Sequence, residues 1–133
     1  TVTTNSTYDK IDTITGFDAV QESAATGKSV VDFLTFGGLT LDGSSANTGI
    51  VKMALNTATD TSLALAFTHA AAYSDVAAAG NGKVVQFQFG GDTYLFKDDA
   101  AVGNTVGGLD AGDHAVKLAG QVDLTTAFAT HVA

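Results

Sequence analysis

The residues best suited to chemistry in this chain are carboxylates set around a glycine-rich stretch. In "KDDAAVGNTVGGLDAGDHAVK", residues 97–117, Asp98 and Asp99 close one apolar segment, and Asp110 and Asp113 open the next. If those segments pair as neighbouring strands, the loop between them can gather four carboxylates and its own carbonyls around one cation. Calcium accepts such irregular sets of about 6–8 oxygens. The spacing is not that of an EF-hand loop, because the alternating acids, central Gly and closing bidentate Glu are missing. The competing reading makes the same four residues ordinary turn formers at strand ends. Asp9 and Asp12, with Asp18, form a second group in "DKIDTITGFDAV", residues 9–20. They read either as ligands of a calcium shared with a preceding repeat or as a solvated strand edge.

Other chemistries find little support in the residue types. His69, His114 and His131 lie in no HExxH setting, and the absence of Cys removes thiolate zinc sites and cysteine nucleophiles. His69 falls on an Ala-rich stretch and reads as a rim or core residue. "TGKS" at 26–29 carries the end of a phosphate-loop motif without its first glycine, and "GSS" at 43–45 lacks a strand-to-helix elbow. Paired carboxylates are compatible with glycoside cleavage, but the chain has no Trp and few aromatic platforms for a sugar. No catalytic residue is assigned, and the expectation is a non-enzyme.

Charge narrows the partners. Fourteen acids against six lysines give a net charge of −8, and there is no Arg. Phosphate backbones need clustered cations, so nucleic acid is not an expected partner, and anionic membranes repel such a chain. Thirteen of the acids are Asp, the shorter carboxylate that suits turns and hard cations. No apolar run reaches the ~18 residues of a spanning helix. The chain opens on Thr rather than Met and reads as one domain, residues 1–133, processed or excised from a larger protein.

Several elements must position these acids. "VVQFQF", residues 84–89, alternates, with Val85, Phe87 and Phe89 on one face and Val84, Gln86 and Gln88 on the other. Tyr94 and Phe96 share a face in a strand at 93–97, and Gly90-Gly91-Asp92 reads as a three-residue hairpin connection. A third strand at 114–119 points Val116 and Leu118 inward, with His114 and Lys117 near solvent or the rim. Residues 59–80 read as the one helix, centred on 61–79. Asp60, Thr61 or Ser62 caps it, and Leu63, Phe67 and Ala70 lie on one face. Further strands are expected at 30–36, at "LTLDGSS", and at the Ile11–Ile14 edge before Gly16. "TGIVKMALN" and the segment from Asp123 onward stay open between strand and helix. The fold class is therefore mainly β: a β-sandwich or β-roll-capping domain with one Ala-rich α-helix.

Three stretches together resemble a known group. "DKIDTITGFDA" and "VVDFLTF" are similar to the D-x-I-x-x-F-D … D-x-L-x-F pattern that follows the calcium repeats of RTX (repeats-in-toxin) proteins. "FQFGGDTYLFKDD" and "DHAVKLAGQVDLTT" resemble the carboxy-terminal part of type I-secreted bacterial surface proteins, S-layer proteins and adhesins among them. No GGxGxDxUx nonapeptide occurs, so the calcium-loaded β-roll itself is absent from this sequence. The resemblance implies export by a type I machinery, an extracellular or cell-surface location and calcium-dependent folding. It also implies a structural parent that self-associates or docks neighbouring domains of the same protein. The alternative is an adhesin-type module that binds surface glycans or protein through the 98–113 loop.

Overall fold

A computed structural model describes residues 11–17, 34–36, 39–41, 49–77, 84–98, 108–109 and 113–124. The described elements are β1 (Asp12–Ile14), β2 (Leu34–Phe36), β3 (Leu39–Leu41), β4 (Ile50–Lys52), α1 (Leu63–Ala77), β5 (Val84–Phe89), β6 (Asp92–Lys97) and β7 (His114–Leu118). Five strands form one mixed sheet in the order β1-β7-β6-β5-β4, and β2 pairs antiparallel with β3 in a separate ribbon. The protein is mainly β with a single helix among the described residues, compatible with a sandwich-like domain.

The centre of the sheet is the β5–β6–β7 meander, antiparallel throughout. Phe89 pairs with Asp92, so the β5–β6 connection is the two-residue turn Gly90-Gly91, shorter than the three-residue link expected from sequence. Both glycines have positive φ, 62° and 89°, as a tight turn matched to the strand twist requires. A Cβ at either position would meet nothing, so the constraint on side chains there is the backbone angle alone.

Parallel pairs flank the meander. β1 runs alongside β7 and stops before Gly16, whose φ is 68°. β4 runs alongside β5, and Met53 N–H donating to Gln86 O at 2.8 Å extends that pairing. The ambiguous "TGIVKMALN" is thus a strand over Ile50–Lys52, and α1 is the crossover that parallel neighbours need.

The helix begins at Leu63, and its cap is Ser62, whose Oγ accepts Leu65 N–H at 3.3 Å. It carries no acid in its first turn and no base in its last, so its dipole is uncompensated and tertiary packing must hold it. Ala66, Phe67, Ala70 and Ala71 supply that packing: all are buried, while Ala64, Leu65, Thr68 and Ala72 face outward. The small alanines let the helix approach the sheet closely, and Phe67 fills the centre. Its ring meets Phe87, Tyr94 and Phe96 edge-on at centroid distances of 5.1, 5.9 and 5.4 Å. Each such pair adds about 0.5–1.5 kcal/mol beyond area burial.

The opposite face of the sheet is a second core, built from Ile50, Val84, Leu95, Val116, Leu118 and Leu124 with Ile14, Phe17 and Val122 against it. Val116 and Leu118 do point inward, but into this second layer, away from the helix. Residues 119–124 leave β7 through Gly120, φ 92°, and cross this face. They form neither strand nor helix, and the remainder of that segment lies outside the described residues.

Candidate functional site

The β6–β7 register decides where the loop acids go. Lys97 pairs with His114, so Asp98, next along β6, and Asp113, just before β7, sit at the same end of one antiparallel pair. The condition set by the sequence, that these strands be neighbours, is met. Asp98 is half-buried and Asp113 is buried, 3% exposed. Asp12 is exposed on β1, opposite Val116 in the parallel register. Asp9, Asp99 and Asp110 lie outside the described residues, as do Asp18, His131, "TGKS" and "GSS". Among the described residues no three His, Asp or Glu side chains gather as a metal site.

A second polar constellation was not anticipated. Asp60, one of the three cap candidates read from sequence, leaves that role to Ser62 and turns into the space between the 56–60 turn and α1. Its carboxylate, 4% exposed, accepts Asn56 N–H at 2.7 Å, the Thr59 hydroxyl at 3.3 Å and His69 Nδ1–H at 2.7 Å. An ionised carboxylate only accepts, which makes Nδ1 the protonated nitrogen of the imidazole. Burial pushes the Asp60 carboxyl up, but the hydrogen bonds from His69, Asn56 and Thr59 and the nearby imidazole outweigh it, leaving the group below its ordinary value. His69 lies at the helix rim as expected, 35% exposed, with Tyr73 edge-on to its ring at 6.4 Å. A turn-to-helix pairing nine residues apart has no periodic signature, so spacing alone could not reveal it.

The third constellation holds the 119–124 segment. Thr93 Oγ1, buried on β6, accepts Val122 N–H at 2.8 Å and lies 2.9 and 3.1 Å from the Gly120 and Val122 carbonyls. Gln86 Oε1 accepts Leu124 N–H, and Gln86 Nε2 donates to Asp123 at 3.1 Å. Lys52 reaches the other Asp123 oxygen at 2.6 Å. Near the turn, Asp92 accepts both Lys117 Nζ at 2.7 Å and Gly120 N–H at 2.9 Å. The Lys117 contact, then the Gly120 N–H, hold the Asp92 carboxyl below its usual range. The Lys117 ammonium is raised, first by Asp92 and then by Tyr94, and Tyr94 is itself raised, chiefly by burial. These groups are absorbed in structure: each fixes a backbone segment or another side chain.

No protein-family model matches this sequence, and no curated protein matches it. No described helix is long and apolar enough to cross a membrane. The functional reading therefore rests on the residues and their placement.

Proposed function

We propose that the chain is a non-enzymatic extracellular domain of a type I-secreted, S-layer-like surface protein, folding with calcium and associating with copies or neighbouring domains of its parent. The observation that supports this most is the placement of Asp98 and Asp113 together at one end of the β6–β7 pair. The 99–112 stretch between them contains Asp99, Asp110 and four glycines. Strand ends fix the two outer carboxylates, and a glycine-rich connection can turn its carbonyls toward a cation that accepts irregular oxygen sets. With a net charge of −8, copies of the chain repel one another, and a bound divalent cation lowers that repulsion.

Size-exclusion chromatography with light scattering, in calcium and in excess chelator, tests this reading. It predicts a larger species in calcium that returns to monomer in chelator. The double variant Asp98→Asn/Asp113→Asn should stay monomeric in both. A monomer indifferent to calcium that binds glycans through residues 98–113 would replace this reading with the adhesin one.

A further inference from the structure

Residues 119–124 cross the sheet strand by strand, and their contacts fix the direction of the chain. Ala119 N–H donates to Ile14 O on β1 at 2.9 Å. Thr93 on β6 then holds Gly120 and Val122, and Gln86 on β5 holds Asp123 and Leu124. Lys52 on β4 reaches Asp123 from beyond Gln86. The path follows the strand order of the sheet and points toward β4. There, just past the last β4–β5 bond among the described residues, Met53 N–H to Gln86 O, lies a surface cleft of about 170 Å³. Its walls are Met53, Ala54, Leu55, Gln86, Phe87 and Gln88. Gln86 is therefore both the anchor of Leu124 and a wall of the cleft.

Two features of the cleft describe its occupant. Val84 N–H and Gln86 O both turn toward β4, and strand alternation gives the backbone N–H and C=O of Gln88 the same direction. Among the described residues no backbone group meets Gln88 on that side. The cleft is also mostly apolar, and an apolar cavity of about 150 Å³ takes up one benzene ring. An extended segment bearing a single aromatic side chain satisfies both features. Residues 125–133, "TTAFATHVA", carry one aromatic residue, Phe128, and no Asp, Glu, Lys or Arg. Phe128 follows Leu124 by four residues, a reach of up to about 14 Å in extended chain. We propose that segment 125–133 docks in this cleft of its own chain, with the Phe128 ring in the apolar part and its backbone pairing with Gln88. Docked there, the segment covers a stretch of sheet edge that is otherwise open to pairing with another chain. None of the acids of the β6–β7 end takes part, so the inference stands apart from the proposed function.

Solution NMR on the full chain tests the docking. Wild type should show nuclear Overhauser contacts between the Phe128 ring and the Leu55 methyls. The Gln88 amide should exchange with solvent at least ~10-fold faster in Phe128→Ala than in wild type, because its protection depends on the docked segment. Phe128→Leu, still apolar, should restore most of that protection, and Leu65→Ala, on the outer face of α1, should leave it unchanged. The absence of the ring-to-Leu55 contacts in wild type overturns the proposal, as does equal Gln88 exchange in wild type and Phe128→Ala. A mixture of ¹³C-labelled and unlabelled wild type separates the remaining source. Contacts found only between copies overturn docking within one chain and assign the cleft to a neighbour's segment. The contacts are measured on wild type, so a variant that fails to fold does not remove the test.

Discussion

Gln86 and Leu124 meet inside the protein, 38 residues apart in sequence: the Gln86 side-chain oxygen accepts the Leu124 backbone N–H at 2.8 Å. Both residues are fully buried. The amide nitrogen of Gln86 holds Asp123 at the same time, so one side chain fixes the crossing segment at two consecutive residues. Gln86→Leu keeps the volume but leaves the Leu124 N–H without its acceptor, at an expected cost of about 1–3 kcal/mol. Gln86→Glu should cost more at neutral pH, because it sets a second carboxylate against Asp123. Urea unfolding at pH 7 ranks the two variants, and the gap should narrow as the pH falls toward 4.

Lys52 touches the same Asp123 from outside, with half of its side chain in water. Exposed ion pairs contribute about 0–1 kcal/mol, so Lys52→Ala should be nearly silent in the same titration. A loss as large as that of Gln86→Leu would mean that charge, not the buried amide, anchors the segment.

Among the described side chains of the helix, Phe67 is the only large one placed fully inside the helix-side core, and it touches three aromatic rings of the sheet. Phe67→Ala should cost about 3–5 kcal/mol, the range for deleting a buried aromatic. Since α1 lacks charge compensation at either end, its helical circular dichroism should fade before the sheet signal does on heating this variant.

Asp60 contributes to the acid limb of stability from a buried position. Its carboxyl is depressed in the folded protein, so its contribution is present above the unfolded carboxylate pKa, near 3.8, and is lost as pH falls through the lower folded value. Asp60→Asn should therefore be less stable than wild type at pH 6 and converge with it toward pH 2. Melting temperatures of both proteins across that range give the check. A constant gap down to pH 2 would show that shape, not charge, is what Asp60 supplies.

These contacts explain which parts of the structure were legible beforehand. Strict alternation in Val84–Phe89 and the i, i+4, i+7 spacing of Leu63, Phe67 and Ala70 are local patterns, and both elements formed where those patterns placed them. Alternation also put Gln86 opposite the aromatics, yet it carries no information about what covers that second face. The cover is a non-periodic segment anchored by side chains, and such contacts join residues 27 to 71 positions apart. The β4–β5 parallel pairing was hidden for a related reason: three residues, Ile50–Lys52, are too few to show a period. For the candidate site, the four acids were readable as residue types, while the adjacency of their strands entered only as a condition, which the β6–β7 register meets for Asp98 and Asp113. The Asp60–His69 pair was not readable, since Asp60 stood as one of three cap candidates and His69 as a rim or core residue, with nothing in their spacing to join them.

The central claim, that calcium binds the folded chain through the acids at the β6–β7 end, is tested most directly by the melting temperature in saturating calcium and in excess chelator. A cation at about 100 times its Kd that binds only the folded state adds about 2.7 kcal/mol, which for a domain of this size is on the order of 10 °C. The account predicts a fall of that order on chelation in wild type and no change on chelation in Asp98→Asn/Asp113→Asn. A wild-type melting temperature that is the same in calcium and in chelator contradicts it.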